Sequence, residues 1–503
     1  MSPNGSTQLF FPPSSRPPLP RRSPRRVAAA TLFCGIALVL TGCATPMLQS
    51  TVDVPQSFSA AGADQTANEP EVAWWKSYGD PVLTGLIERA ARENRDVRIA
   101  AERVRAARAG ETISRSWMLP SVGLSAGASK STNGYEGAAQ GAVPEMKSSS
   151  AGLDVSWEID ITGRLRDGAK AASADVVASQ GEARGVRLLV LTDVATHYFT
   201  LAGALRQLET MQAISKAQDE TLRLVTARES VGLASQFDVE RARADAERAR
   251  AAIPPLATMV AVSRHRIAAL MGDPPAMGDK IAPWTGTVTA PEISPGQPAA
   301  LLERRPDLLA SRAQLESANW RRRQAATEWF PRLFTSALFG SQDVQVNGAN
   351  LGAAKFGNVA GLLTMPLLNW GRTKAINETA SAGQNAAVLH YEDAIVRALE
   401  DVENALVASK QGRQRDAYLT SAAAAADAAL AHARSLYDRG QIDLLPLLDA
   451  QRAQLQTRLG ANDSQTDVLL ESVRLFKALG GGWQAFEPAA QANQTHSANE
   501  VRS

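Results

Sequence analysis

The run Trp157-Glu158-Ile159-Asp160-Ile161-Thr162-Gly163-Arg164 marks an abrupt change in the pattern of the chain. Before it, residues 150–160 alternate between apolar and polar side chains, which predicts a β-strand. After it, residues 164–231 contain no proline and are rich in Ala, Arg, Glu and Leu. At about 1.5 Å per residue this segment predicts one helix about 100 Å long. A strand that leads directly into so long a helix determines the fold class.

A second copy of this junction lies at Asn369-Trp370-Gly371-Arg372, 208 positions further along. Val231-Gly232-Leu233 and Arg439-Gly440-Gln441 are also 208 positions apart, whereas Arg95-Asp96 and Pro306-Asp307 are 211 apart. One change of three residues in the offset fits a loop of different length near the strands. The sequence therefore predicts a tandem duplication.

The landmarks divide the chain into six predicted segments. The repeats are 81–279 and 301–483, each with a helix, two strands, a very long helix, a turn and a further helix. The other four are a signal peptide 1–42, a lipid-anchored N-terminal segment 43–80, a linker 280–300 and a polar, disordered tail 484–503.

The helices carry a coiled-coil pattern. In the first copy the apolar residues step by three and four positions, and the second copy repeats the register, which predicts seams of a helical core rather than a cofactor site. The leading helix, 81–116, and the return helix, 233–271, should be much shorter than the long one, with a kink at Pro254-Pro255. The seam residues are Leu191, Val194, Tyr198, Leu201, Leu205 and Leu208, and then Leu399, Val402 and Leu406.

The segments between the helices predict two strand pairs. Residues 121–130, 150–160, 332–346 and 356–368 read as strands of about ten residues, a length that crosses a bilayer, with a polar, Gly-rich loop inside each pair. Four strands cannot close a barrel, and open edges do not survive in lipid. Several chains must therefore contribute, and three would supply about twelve strands. The alternative is two soluble hairpins, which are marginally stable alone.

The N-terminus carries a predicted export signal. A basic stretch, 21–26, precedes an apolar stretch, 27–40, and then Leu40-Thr41-Gly42-Cys43. This resembles a bacterial lipoprotein signal, in which Cys43 is acylated and becomes the first residue. Ala44 favours export to the outer membrane, and the expected modification is a covalent lipid on Cys43 with no cofactor.

Composition excludes several classes of protein. The 53 basic and 51 acidic residues leave no basic stripe for nucleic acid. The five histidines show no ligand spacing, which argues against a metal site. Gly123-Leu124-Ser125-Ala126-Gly127 matches a hydrolase pattern but lies inside a predicted strand, so no enzyme is expected.

Together these features resemble the TolC-like outer-membrane factors, and in particular the lipidated NodT/OprM-type branch. The resemblance covers about residues 70–483. It implies an α+β membrane protein, in which a trimeric β-barrel with four strands per chain continues into a long α-helical barrel of coiled-coil-like hairpins. Its most specific pieces are the junction at 157–164, Val231-Gly232-Leu233 followed by Asp238, Leu447-Leu448-Asp449-Ala450-Gln451-Arg452, and Ala478-Leu479-Gly480-Gly481-Gly482-Trp483.

The resemblance also implies a function. The chain would be the exit duct of a tripartite RND-type efflux system that exports small toxic compounds or drugs across the periplasm and outer membrane. Its partners would be two further copies of itself, a periplasmic adaptor (membrane fusion protein), an inner-membrane RND-type pump and outer-membrane lipid. It would be anchored in the cell outer membrane and extend into the periplasm. The alternatives are a type I protein secretion channel and a lipid-tethered periplasmic coiled-coil scaffold.

Family roles transfer to a few residues. Val231, Gly232 and Leu233 match the tip that contacts the adaptor, whereas the second tip keeps only Gly440. Asp449, repeated by threefold symmetry, would favour cations at the constriction. The resemblance assigns the periplasmic gate to Asp238, Tyr437, Leu445 and Asp449, with Asp238 meeting Tyr437.

Pro446 and Ile442 stand where some family members have an acid and an arginine. Part of the gate's polar network is therefore expected to be missing.

Overall fold

The computed structural model describes residues 46–60, 71–132, 144–286 and 288–487. The predicted signal peptide, Cys43 and residues 488–503 lie outside this part of the chain. Only residues 484–487 of the predicted tail are described, and they are ordered. Trp483–Phe486 forms a 3-10 helix, and Glu487 pairs with Arg184 at 2.7 Å.

The helices repeat in two sets. The long helices α3 (Arg164–Ser230) and α8 (Arg372–Asp438) each have 67 residues and begin 208 positions apart. The shorter helices α2 (Arg95–Ser116) and α7 (Pro306–Ala326) begin 211 apart, as the landmarks predicted. The first set is α1 (Pro81–Glu93), α2 (Arg95–Ser116), α3 (Arg164–Ser230), α4 (Gln236–Ala251) and α5 (Ile253–Leu270). The second set is α6 (Leu301–Arg304), α7 (Pro306–Ala326), α8 (Arg372–Asp438) and α9 (Leu444–Ala478).

The leading helix of the first repeat is broken, which the sequence analysis missed. Asn94 separates α1 from α2 and caps α2 by accepting from the backbone N–H groups of Asp96 (2.8 Å) and Val97 (3.2 Å). Its side-chain amide also donates to the Leu270 carbonyl at 2.8 Å. A buried Asn satisfies these groups better as a cap than inside a continuous helix, because its side chain competes with the backbone for hydrogen bonds.

The return leg differs between the repeats. In the first it is split at Ala252 into α4 and α5, two residues before Pro254-Pro255, where a kink was expected. In the second, α9 runs for 35 residues without interruption. Proline lacks a backbone N–H and clashes with the preceding turn, which accounts for the difference.

The four strands form one antiparallel sheet in the order β1-β2-β3-β4. They are β1 (Ser121–Ser131), β2 (Met146–Ile159), β3 (Arg332–Val346) and β4 (Ala349–Thr364), so all but β1 are clearly longer than about ten residues. The expected Gly-rich loop between β3 and β4 is absent. Asn347 (φ 49°) and Gly348 (φ 82°) form a two-residue turn there, a favoured hairpin sequence because both positions need positive φ.

One side of the sheet, called here the apolar face, is exposed and hydrophobic. Cross-strand register places Leu124 opposite Leu153, and Leu153 opposite Phe339. Leu124 is 80% exposed and Val359 68%. The opposite side of the first hairpin carries mainly Ser and Gly, with Asp154 and Glu158, and the alternation is weaker in the second hairpin. Members of the apolar face include Val122, Leu124, Leu153, Val155, Phe339, Val359 and Leu363.

The predicted seams form the core. Leu191, Val194 and Leu201 are fully buried and pack with Trp74 and other aromatic residues. Val402 and Leu406 lie in a second cluster with residues of α7 and α9. Within the described chain only α3 contains an apolar stretch long enough to cross a membrane, and 61% of that stretch is buried, as in a helix packed inside protein.

Candidate functional site

The end of the helices opposite the sheet contains two turns with the same geometry. After α3, Gly232 has φ 75°, its N–H donates to the Glu229 carbonyl (2.9 Å), and the Leu233 N–H donates to the Arg228 carbonyl (2.8 Å). This pattern is a Schellman motif, in which glycine accepts the left-handed conformation at little cost. We call this turn tip 1.

The turn between α8 and α9, called tip 2, repeats the motif. Gly440 has φ 70°, its N–H donates to the Tyr437 carbonyl (3.0 Å), and the Gln441 N–H donates to the Leu436 carbonyl (2.9 Å). The next helix starts differently, because Asp443 makes no side-chain cap whereas Ser235 caps α4. The two tips therefore share a fold but not a surface.

Tip 1 presents apolar side chains to the surroundings. Val231 is 68% exposed, Leu233 77% and Phe237 70%. At tip 2 the residues that replace Val231 and Leu233 are Arg439 and Gln441. The sequence did not single out Phe237 as part of the tip. An apolar residue at the second position of α4, four residues after Leu233, could have indicated it.

Tyr437 joins the two hairpins. It is buried in a cluster that also contains Val225 of α3, Val239 of α4 and Leu447 of α9. The Arg228 guanidinium lies 4.2 Å from the centre of the Tyr437 ring, a cation–π distance. Tyr437 thus holds α8 against α3 just above the tips.

Asp238 does not meet Tyr437 within the described chain, contrary to the expectation. Its carboxylate accepts from the Ser235 hydroxyl (2.7 Å) and the Ser235 N–H (3.1 Å), and the Ser235 hydroxyl accepts from the Asp238 N–H. This reciprocal capping box takes priority because both groups lie within one helical turn. The hydrogen bonds from Ser235 lower the pKa of Asp238.

The other two expected gate residues lie on the first turns of α9. Leu445 is 46% exposed. The Asp449 side chain is 60% exposed and pairs with Arg452 at 3.3 Å. Both are available to a surface outside this chain.

Arg452 also reaches a buried partner that the sequence analysis missed. It contacts Asp245 of α4 at 2.7 Å, and Asp245, only 7% exposed, is held from its own helix by Arg248 at 2.9 Å. Two residues 207 positions apart carry no local signal of pairing, although Arg452 belongs to the distinctive run 447–452. The resulting chain of charges, Asp449 to Arg452 to Asp245, links the exposed side of α9 to α4.

A further ion pair braces the second hairpin above the tips. Asp427 of α8 accepts from Arg458 of α9 at 2.7 and 2.9 Å and from Gln454 at 2.9 Å. Arg458, the closest donor, lowers the pKa of Asp427. In the described residues no cluster of His, Cys, Asp and Glu is arranged to hold a metal ion.

The chain matches the family model of the outer membrane efflux proteins twice, over residues 86–273 and 298–481. Among curated relatives, the outer membrane protein OprJ of Pseudomonas aeruginosa is 29% identical over 453 residues, covering 89% of this chain and 95% of OprJ. The pyoverdine export outer membrane protein OpmQ of Pseudomonas putida is 31% identical, covering 90% and 97%.

A solved structure shows the same architecture. The open state of the MtrE outer membrane channel of Neisseria gonorrhoeae superposes with a TM-score of 0.78 at 26% identity, covering 87% of this chain and 98% of MtrE. Two matches to one family model, near-complete coverage of the relatives and a shared fold agree with one another. The chain belongs to the outer membrane efflux protein family.

Proposed function

We propose that the chain is the outer-membrane exit duct of a tripartite RND-type efflux system for small toxic compounds. The observation that carries this is the junction of an exposed, one-sided apolar sheet with helices of 67 residues. The apolar face suits lipid, and helices of about 100 Å suit a passage through the periplasm. The protein itself acts as a conduit, and the attached pump supplies the energy.

Three copies close the barrel in this proposal. β1 and β4 are edge strands of the four-stranded sheet, so each presents unpaired backbone groups to a neighbour. The segment between β4 and α8 also exposes apolar side chains to solvent, since Leu367 is 90% and Trp370 91% exposed. Joining β4 of one copy to β1 of the next satisfies both edges and creates a ring of about twelve strands.

The tips bind the periplasmic adaptor. Val231, Leu233 and Phe237 form an exposed apolar group at tip 1, a composition that favours a dry contact. The Gly232 and Gly440 turns set the shape of the two tips, and Arg439 and Gln441 make the second contact polar. An adaptor therefore meets two chemically different tips on each copy.

The gate lies just above the tips. Leu445 and Asp449 supply the constriction, while Tyr437 and the pairing of Arg452 with Asp245 hold α8 and α9 against α3 and α4. Opening requires the second hairpin to move away from the first, which breaks the contacts of Arg452. Asp238 acts in this proposal by stabilising the start of α4 rather than by contacting Tyr437.

The lipid on Cys43 completes the proposal as the membrane anchor. Cys43→Ser should abolish acylation and weaken retention in the outer membrane, measured by palmitate labelling and membrane fractionation. Palmitate labelling that is the same in the variant and the wild type would contradict the assignment.

Dye retention in cells tests the function. With the pump and adaptor intact, cells that lack this chain should retain more of a fluorescent, drug-like dye. Wild-type chain should restore efflux, and a Val231→Asp/Phe237→Asp variant should restore it poorly while still forming channels. Unchanged retention, with no redundant channel present, would favour protein secretion or a scaffold.

A further inference from the structure

The two ends of the sheet carry different side chains. At the helix end, tryptophans lie next to every strand, and Trp117 and Trp370 are 67% and 91% exposed. Exposed tryptophans of this kind mark one boundary between lipid and water in membrane barrels. The four residues are Trp117, Trp157, Trp329 and Trp370.

Lysines occur at the other end of the same apolar face. Cross-strand register places Lys130 opposite Lys147 on the side that carries Leu124 and Leu153. Lys355 of β4 lies on that side too, but at the level of Ala151, four residue pairs nearer the helices. All three are exposed. Between the tryptophans and the lysines, the apolar face of β1 and β2 carries no charged residue.

The spacing between these two ends matches a bilayer. Lys130 is nine residues from Ser121, and Lys147 is ten from Trp157. At about 3.3 Å per residue and a strand tilt of about 40°, these separations span about 23–25 Å. The apolar band of an outer-membrane barrel is about 25 Å tall. Lys130 and Lys147 therefore lie at the outer boundary when the tryptophans lie at the inner one.

Lys130 and Lys147 form no ion pair in the described part of the chain, and neither does any other lysine there. Lys130 and Lys147 are direct cross-strand neighbours, an arrangement that like charges disfavour. An anion bound between them would remove that repulsion.

A shallow groove accompanies the lysine pair. It has a volume of about 390 Å³, and its lining includes Lys130, Lys147, Asp343 and Gln345. Asp343 is the one acid on this face of the strands, and one of its carboxylate oxygens is buried without a hydrogen-bond partner. Glu145 precedes β2 at the turn end.

We propose that Lys130 and Lys147 bind the phosphate groups of an anionic lipid in the outer leaflet. This rests on the proposed function, because it requires the apolar face to meet lipid. Phosphate fits the site because two ammonium groups on adjacent strands can contact one headgroup while its acyl chains lie along Leu124 and Leu153. The bound lipid would fix the depth of the barrel.

Titration with bisphosphorylated lipid A tests the proposal. Binding to the purified full chain is measured by native mass spectrometry for the wild type and for Lys130→Gln/Lys147→Gln. Each lysine near an anionic headgroup strengthens binding about fivefold, so the double variant should bind about 25-fold more weakly. Lys216→Gln/Lys410→Gln, which removes two exposed lysines from α3 and α8, should bind like the wild type.

Three results would overturn the proposal. These are equal affinity in the double variant and the wild type, equal affinity of the wild type for dephosphorylated lipid A, and displacement of lipid A by inorganic phosphate at equal concentration. Planar-bilayer conductance in phosphatidylethanolamine, measured on the same samples, keeps the two proposals apart. Conductance together with equal lipid A binding in the wild type and the double variant rejects only the lysine site, whereas absence of conductance in the phosphatidylethanolamine bilayer rejects the channel.

Discussion

At the scale of single residues, Arg452 connects an exposed acid to a buried one. Asp245 is 7% exposed and depends on Arg452 and Arg248 for its charge balance. Asp449 is largely exposed and has a longer contact with the same guanidinium. Because a buried carboxylate suffers more from a lost partner than an exposed one, Arg452 should affect the gate more than Asp449 does.

Arg452→Gln should therefore destabilise the tips by about 1–3 kcal/mol, since Asp245 keeps only Arg248. Single-channel conductance should rise, because α9 is less firmly held to α4. Asp449→Ala should also raise conductance, but by less.

Arg397→Gln, which breaks an exposed pair with Asp393 on α8, is the matched control and should leave conductance unchanged. Wild-type conductance in Arg452→Gln would remove this residue from the gate, and the same result in Asp449→Ala would remove Asp449.

Asp238 leads to a pH-dependent prediction. Its lowered pKa means that the ionised carboxylate stabilises the folded tip above about pH 4, the pKa of an unfolded Asp, and that this stability is lost as the pH falls through the folded pKa. Asp238→Asn should weaken the start of α4 by about 1 kcal/mol at pH 7. Hydrogen exchange of the α4 amides, corrected for intrinsic rates, measures this. A difference that persists undiminished at pH 3 would contradict the electrostatic account.

At the scale of elements, the close approach of α3 to α7 depends on a glycine, which has no side chain to keep the helices apart. A Cβ at Gly181 of α3 would lie 2.8 Å from the Ala310 nitrogen and 3.0 Å from its Cα on α7. Backbone atoms cannot move aside as a flexible side chain can. This glycine therefore sets how closely the long helix of one repeat approaches the second repeat.

Gly181→Ala should lower the free energy of unfolding by about 1–3 kcal/mol, the usual cost of overpacking, despite the higher helix propensity of alanine. Gly383→Ala on α8 has nothing within 4 Å of the added atom and should be neutral or slightly stabilising. Thermal unfolding of both variants provides the measurement. Equal melting temperatures would show that α3 and α7 can separate at little cost.

At the scale of the whole molecule, insertion depends on which side of the sheet faces lipid. Leu124 and Ser125 are neighbours on β1 and point to opposite sides of the sheet. On the lipid side of a barrel, Arg or Lys costs about 2–4 kcal/mol per site near the middle of the bilayer and Asp costs less, whereas a lumen position tolerates charge. Threefold repetition would multiply that cost.

Leu124→Asp should therefore reduce the amount of assembled trimer in the outer membrane, whereas Ser125→Asp should assemble normally and shift selectivity towards cations. Trimer recovery on mild-detergent gels and ion selectivity in planar bilayers measure the two effects. Failure of Ser125→Asp with normal assembly of Leu124→Asp would reverse the assignment of the faces.

Much of the fold was predictable because it follows from local patterns. The limits of α3, the break before Pro254-Pro255 and the buried seam through Leu191 and Val194 depend on residues near one another in the chain. The split at Asn94 was missed because it depends on a carbonyl 176 positions away, at Leu270. Sequence alone also located both tips, since glycine in a helix-ending turn is a local requirement.

What sequence could not supply was the choice of partners across the fold. Asp238 was expected to meet Tyr437, yet the folded chain satisfies it at Ser235 and assigns the connection between hairpins to Asp245 and Arg452. Likewise, only strand register shows that Lys147 of β2 shares a face with Leu124 of β1. Periodicity specifies which residues turn inwards, because it reflects local geometry. Pairing between distant segments arises only when packing brings helices and strands together, and tertiary structure decided it here.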